Sequence, residues 1–287
     1  MIEEKAYGKV NLALRIVRRR EDGYHDIDTL FQSIALCDTI TLEPARDIVL
    51  TCSKSGLPCD ETNLAYQAAQ ALCSHCGISR GARIHIEKRL PMAAGLAGGS
   101  ADCAAVLRGL NQLWQLHLTA EELCRIGVEL GADVPFCIRG GTARGRAKGE
   151  ELTELPALPP WPILLVHPHL AVHTNKAYGK FDKTEIQHII DMDTMEQAVR
   201  AGSAEAVEAA MGNTFEELVI PDNPQIAEYK KILEQASLKP LMSGSGPTLF
   251  ALLPPSIDST ALEMIERNVG DADVFISKFT KGVNSDE

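Results

Sequence analysis

The residues with the most chemical content form one run, Pro91-Met92-Ala93-Ala94-Gly95-Leu96-Ala97-Gly98-Gly99-Ser100-Ala101. A glycine-rich loop that leads from a strand into a helix is a physical device for holding phosphate. Its bare backbone closes on the oxygens, and the free N–H groups and positive dipole of the helix N-terminus face the anion. Ser100 stands where a hydroxyl can meet phosphate or a bound Mg2+ ion. Two familiar phosphate loops do not fit. A Walker loop needs Lys-Ser or Lys-Thr after its last glycine, and here no lysine follows until Lys148. A dinucleotide fingerprint needs Gly-x-Gly-x-x-Gly, whereas this loop reads Gly-x-x-Gly-Gly. The bland alternative is a tight turn that packs a helix onto a sheet.

Other chemical groups are weak signals when read singly. Asp133, in Gly131-Ala132-Asp133-Val134-Pro135, is by itself a turn former that bonds its own backbone. Lys9 on a strand is by itself a solvated charge. Cys52, Cys59, Cys73 and Cys76 lack the paired spacing of a structural zinc site. His167, His169 and His173 lie in loop-like, proline-interrupted surroundings and do not read as a metal site.

These groups must be positioned by folded structure, and the pattern supplies it. Val10, Leu12, Leu14 and Ile16 alternate as in a half-buried strand that ends near Arg18-Arg19-Arg20. Ile34 to Leu42 reads as a second strand with Asp38 inside it. Asn63 is a helix N-cap, with the helix stopping at Gly77. Ile84 and Ile86 mark a short strand ending at Lys88-Arg89, just before the glycine loop and its helix. Thr119 and Glu122 form a capping box for a helix over 120–130. Pro156, Pro159, Pro160 and Pro162 place a boundary, giving domains at 1–155 and 156–287. Beyond it come helical patterns near 193–211 and 223–236, a strand at 248–253, a helix at 258–268 and a strand at 273–279. The fold class expected is α+β, with a terminal βαβ unit.

Composition bounds the partners. The 287 residues carry 28 basic and 39 acidic side chains, a formal net charge of −11. That balance argues against nucleic acid as a partner, because phosphate neutralisation needs concentrated Lys and Arg. An anionic substrate must therefore meet a local positive site. No apolar run reaches the ~18 residues of a membrane helix, and the N-terminus lacks an export pattern. The scattered cysteines suit a reducing, cytoplasmic location. A monomer or homodimer is expected.

The glycine loop resembles the phosphate motif of the GHMP kinases, the superfamily that includes galactokinase, homoserine kinase and mevalonate kinase. Ala6-Tyr7-Gly8-Lys9-Val10-Asn11-Leu12 is similar to the first motif of that superfamily. Ser243-Gly244-Ser245-Gly246-Pro247-Thr248 is similar to its third. Asp22-Gly23-Tyr24-His25, Thr29-Leu30-Phe31-Gln32 and Gly131-Ala132-Asp133-Val134-Pro135-Phe136 resemble the branch that phosphorylates a methylerythritol carrying a cytidine diphosphate group. Together these motifs span most of the chain.

The resemblance implies a two-domain fold, with an N-terminal domain like ribosomal protein S5 domain 2 and a ferredoxin-like C-terminal domain, and a site between them. It implies ATP and Mg2+ and a small-molecule alcohol as acceptor. Asp133 matches the catalytic aspartate and Lys9 its partner. Residues 91–101 match the ATP loop, with Asn63 either a cap alone or also near the adenine. Tyr24 and His25 match residues that meet cytosine, and Tyr178 is the second stacking candidate with Thr174 beside it. Asn11 matches a residue near the methylerythritol hydroxyls, and Gly244, Ser245 and Gly246 fall on the substrate side. Ser100 is the candidate metal ligand. Another GHMP kinase of homoserine or mevalonate type, or a nucleotide binder without catalysis, are the competing readings. The chain departs from the family pattern at Ala97, often glycine, and at Ala101 and Cys103, where a second serine and an alanine are common. Loss of a hydroxyl at 101 leaves more of the phosphate duty to Ser100.

Overall fold

The computed structural model describes residues 1–283. The alternating N-terminal pattern becomes strand β1 (Ile2–Arg19), which turns at residues 20–24 into the antiparallel strand β2 (His25–Ala45). This second strand begins well before the expected Ile34. The expectation of a half-buried β1 also needs correction, because residues 8–14 are all buried. Elements from both halves of the chain pack on the strand at that level, so the alternation marks direction and not exposure.

Strand β3 (Val49–Cys52) pairs in parallel with β4 (Gly81–Glu87), and helix α1 (Leu64–Cys76) connects them. Asn63 caps α1 by accepting from the Ala65 N–H at 2.9 Å, and the helix stops at Gly77 as expected. The glycine loop leads into α2 (Gly98–Leu113), followed by α3 (Ala120–Leu130), whose Thr119/Glu122 capping box is formed. A short helix, α4 (Val134–Arg139), and a hairpin of β5 (Thr142–Arg146) and β6 (Glu151–Glu154) complete the first half. Small residues along α2, among them Ala101, Cys103, Ala104 and Ala105, let it lie close against β1 and β2 within a single apolar core. Each fully buried large aliphatic side chain in that core contributes about 1.5–3 kcal/mol.

Residues 155–161, which hold Pro156, Pro159 and Pro160, form neither helix nor strand, whereas Pro162 opens the next strand. The second half contains β7 (Pro162–His167), α5 (Thr174–Phe181), α6 (Met192–Ala201) and α7 (Ala204–Ala210). The helical pattern over 193–211 is thus divided, at Gly202, where Ser203 caps α7. There follow β8 (Gly212–Asn213), α8 (Thr214–Val219), a 3-10 turn at Ile220–Asp222 and α9 (Pro224–Gln235). The chain then forms β9 (Leu241–Met242), β10 (Leu249–Leu252), α10 (Ser259–Val269) and β11 (Asp273–Lys278).

The sheet of the second half has the order β11-β7-β10-β9 with antiparallel neighbours. Since β10 and β11 flank β7, they run parallel to each other, and α10 makes the crossover of a βαβ unit. This is a ferredoxin-like arrangement. The first sheet runs β3-β4-β2-β1-β8, so it borrows β8 from the second half, in parallel to β1. Met192, Met195, Val199 and Phe279 also enter the first core. The halves are knit together around the middle of β1, the stretch that carries Lys9 and Asn11.

Candidate active site

Lys9 and Asn11 lie two residues apart on β1 and therefore project to the same face. The Lys9 ammonium donates to Asn11 Oδ1 at 2.7 Å and to the Gly95 carbonyl at 3.1 Å. Asn11 in turn donates from Nδ2 to Thr29 Oγ1 at 2.7 Å, and Thr29 donates to the Ala13 carbonyl at 2.8 Å. That chain fixes the amide with its oxygen toward the lysine. Lys9 is buried, and its charge is met by these oxygens, by the Phe31 ring 5.5 Å away and by the Asp133 carboxylate at 3.7 Å.

Asp133 occupies the N-cap position of α4, yet its side chain makes no capping hydrogen bond. A turn former would bond its own backbone; this carboxylate faces Lys9 instead. It is about one-third exposed, open to an incoming group while its partner lysine is enclosed.

The glycine loop is fastened to the same place. The Lys9 N–H donates to the Leu96 carbonyl at 3.1 Å, and Ser243 Oγ donates to the Gly95 carbonyl at 2.9 Å. Gly95 has φ 74° and no room for a side chain, since a Cβ there would stand 2.1 Å from the Ser243 carbonyl oxygen. The loop enters α2 through Ala97 at φ 57°, with no side-chain cap. The first intrahelical bond runs from the Ala101 N–H to the Ala97 carbonyl, which leaves the amides of Gly98, Gly99 and Ser100 without helical acceptors. Free amides at a helix N-terminus form a cradle suited to an anion. Ala101 takes no direct part, because its amide is engaged and its methyl is buried in the core. Leu96 likewise points inward, whereas Met92 and Ala93 lie at the surface.

Ser100 lines one small cavity, of about 260 Å3, together with Lys9, Asn11, Asp133, Thr174, Tyr178 and Gly244. Its hydroxyl makes no hydrogen bond among the described residues. Among those residues no three His, Cys, Asp or Glu side chains gather as a metal site. The unbonded Ser100 hydroxyl would suit an ion such as Mg2+, which keeps few protein ligands. Thr174 and Ser245 join α5 to the third glycine segment through a 2.7 Å hydroxyl contact. Gly244 lies against the lysine, where a Cβ would stand 3.3 Å from Nζ. Asn213 donates from Nδ2 to the carbonyls of Met242 and Gly244 at 2.6 and 2.7 Å, holding that segment from behind.

A larger cavity of about 850 Å3 opens beside the first and shares Ala132, Lys148 and Tyr178 with it. Tyr24 and His25 line it. Tyr24 is 62% exposed, with the Lys148 ammonium 5.2 Å from its ring centre. His25 is buried and stacks on Tyr178, with ring centres 4.7 Å apart and planes 14° from parallel. Tyr178 has one face covered by the imidazole, and the open aromatic face is that of Tyr24. Burial pushes the Tyr178 hydroxyl up to about 12, with the Asp133 charge adding to it.

Asn63 lies near the loop, since its helix neighbour Leu64 reaches Gly99. Its Oδ1 caps α1 and its Nδ2 donates to the Pro58 carbonyl at 2.7 Å, so its main work is local.

Some residues of the site had no signal in the sequence. Lys148 belongs to the turn between β5 and β6, where a lone lysine looks like surface charge. Lys88 is almost fully buried beneath the loop, 2.6 Å from both Asp38 and Asp102. Asp38 also accepts from the N–H groups of Arg89 and Leu90, at 2.6 and 2.8 Å. Burial raises the Asp102 carboxyl against the pull of Lys88. A Cβ on Gly98 would stand 3.2 Å from the Lys88 ammonium, so this buried cluster underlies the first free amide of the cradle.

Known proteins resemble this chain over most of its length. Residues 63–141 match the GHMP kinases N-terminal domain, and residues 195–271 match the GHMP kinases C-terminal domain. The chain is 42% identical over 254 residues to a 4-diphosphocytidyl-2-C-methyl-D-erythritol kinase of Enterococcus faecalis, covering 88% of this chain and 89% of that one. A crystal structure of 4-(cytidine 5'-diphospho)-2C-methyl-D-erythritol kinase superposes with a TM-score of 0.81 at 33% identity, over 98% of this chain and 100% of the other. A homoserine kinase from Cytophaga hutchinsonii, at 20% identity and a TM-score of 0.70 over 96% and 95% of the two chains, shares the fold alone. The buried lysine beside an open aspartate, the amide cradle and these likenesses converge: the chain belongs to the 4-diphosphocytidyl-2-C-methyl-D-erythritol kinase family of the GHMP kinases.

Proposed function

We propose that this chain transfers the γ-phosphoryl group of ATP to the 2-hydroxyl of 4-diphosphocytidyl-2-C-methyl-D-erythritol, a step of the non-mevalonate route to isoprenoid precursors. One observation carries the reading. The cavity with Lys9 and Asp133 lies beside the larger cavity with Tyr24 and His25 and shares Ala132, Lys148 and Tyr178 with it, which suits an acceptor carrying both an alcohol and a base.

In this reading Asp133 accepts the proton of the attacking hydroxyl, and the O–P bond to the alcohol forms as the bond to the departing ADP breaks. Lys9 lies beside Asp133, where charge builds on the attacking oxygen. Asn11 orients both the lysine and the acceptor alcohol. The amides of residues 98–100 hold the donor's phosphates, and Gly244, Ser245 and Gly246 close the opposite wall. The Ser100 hydroxyl would be the protein contact of Mg2+, which when bound would neutralise charge on the phosphates. Tyr24 gives the base a stacking face, and Lys148 meets the diphosphate. A cytoplasmic location belongs to the same proposal, and the free thiols of all eight cysteines suit it. No described helix is long and apolar enough to cross a membrane.

The test is ADP release with this alcohol against a panel including homoserine and mevalonate. Turnover of the cytidine substrate well above the others is expected; turnover of another alcohol alone, or nucleotide binding without transfer, overturns the reading.

A further inference from the structure

We infer that Asp182 is a positioning residue that sets base selectivity by fixing the tautomer of His25. The inference rests on the reading above, in which the larger cavity receives the cytosine.

Asp182 follows α5 at its C-cap, where no catalytic motif lies. Its Oδ1 is 2.8 Å from His25 Nε2, and its Oδ2 is 3.5 Å from Arg19 Nη1. A carboxylate can only accept, so Nε2 carries the ring proton. With the ring in its neutral form, Nδ1 is then a bare acceptor. Nδ1 has no hydrogen-bond partner among the described residues, while His25 lines the cavity that also holds Tyr24 and Asp182. The ring cannot easily turn to offer its other nitrogen, because Tyr178 stacks on its face and Phe181 meets it edge-on at 5.8 Å.

An acceptor held at that point discriminates between bases. Cytosine bears an exocyclic amine, which donates, where uracil bears a carbonyl oxygen, which does not. Nδ1 bonds the first and repels the second. A site built to bond a polar group rejects the analogue lacking it far more strongly than an apolar pocket rejects a change of size. The Asp182 carboxylate is thus the origin of selectivity although it need not touch the base.

Asp182→Asn separates this role from a merely structural one. An amide can turn its NH2 toward Nε2 and drive the proton to Nδ1, which then donates and suits a carbonyl. The expected result is a fall of about tenfold or more in the ratio of kcat/KM for the cytidine substrate over its uridine analogue, with kcat at saturation little changed. Asp182→Glu should restore the ratio. 15N NMR of the histidine side chains should show the Nε2–H tautomer in the wild type and the Nδ1–H tautomer in the Asn variant. An equal loss on both substrates, an unchanged ratio, or an Nδ1–H tautomer in the wild type overturns the inference. Failure of the wild type on the cytidine substrate would instead sink the functional reading and this inference with it.

Discussion

The ammonium of Lys9 is 3.7 Å from the carboxylate of Asp133 and 2.7 Å from the amide oxygen of Asn11. The lysine is enclosed and the aspartate open, so an incoming hydroxyl meets the base first and the cation beside it. Asp133→Asn keeps the shape and removes the proton acceptor. Its kcat should fall by about 10^2–10^4-fold, the usual range for a positioned base. The KM for ATP should change little, because the amide cradle is untouched. Steady-state ADP release checks both numbers, and a kcat within threefold of the wild type would remove Asp133 from the mechanism (~3-fold being too small for loss of a base).

Gly95→Ala tests the junction of two glycine segments that are distant in sequence. The added methyl would stand 2.1 Å from the Ser243 carbonyl oxygen, and φ 74° is already unfavourable to any side chain. The loop must shift, and with it the carbonyl that accepts from Lys9. A loss of nucleotide affinity together with a fall in kcat is expected, by calorimetry and by turnover. Normal values for both would mean that the loop's position is not critical.

The parts of this architecture carried by neighbours in sequence were legible. Asn63, Gly77 and the Thr119/Glu122 pair act within a few residues, and each forms the cap its type and spacing imply. The passage of the glycine loop into α2 was legible for the same reason, though not which of its amides are free; Ala101 turns inward because helical bonding has already begun there. Contacts across the sheet left no trace. Asp38 and Lys88 are 50 residues apart, and nothing local distinguishes a buried lysine from a solvated one. The stack of His25 on Tyr178 depends on how the two halves close, so type and motif could suggest both residues but not that one covers the other.

Lys88→Met should be severely destabilising. It leaves the Asp38 and Asp102 carboxylates buried without their shared cation, and breaking a buried ion pair from one side costs about 3–5 kcal/mol. Lys88→Met with Asp102→Asn should recover part of the loss, since the second change removes one of the stranded charges. Urea unfolding of the single and double variants decides it. A double variant no more stable than the single one would show that electrostatics do not dominate the cluster.

Ala97→Gly should stabilise the protein. Alanine at φ 57° bears a left-handed strain of about 1–2 kcal/mol, and glycine relieves it at an entropic cost of about 0.5–1 kcal/mol. The difference, about 0.5–1 kcal/mol, should raise Tm by roughly 2 °C in a chain of this size. A lower Tm in a thermal melt would mean that contacts of the methyl group outweigh its strain.

His167 should make the second half sensitive to mild acid. Its ring is buried and bonded to Thr248 Oγ1 at 3.0 Å, and burial holds its pKa below the ordinary value, although Asp273 pulls the other way. In the unfolded chain the same imidazole takes its proton near pH 6.5. Between that value and the lower folded one, the unfolded state binds more protons, so stability rises with pH across this window and is lost as pH falls through it. The slope from one such group approaches about 1.4 kcal/mol per pH unit. Urea unfolding at about pH 5.5 and about pH 7.5 should show a larger acid loss in the wild type than in His167→Gln, which cannot charge. Equal losses in the two proteins would place the acid sensitivity outside His167, and not in carboxylates such as Asp26 and Glu196, whose arginine hydrogen bonds hold them below the usual range so that they weaken only in stronger acid.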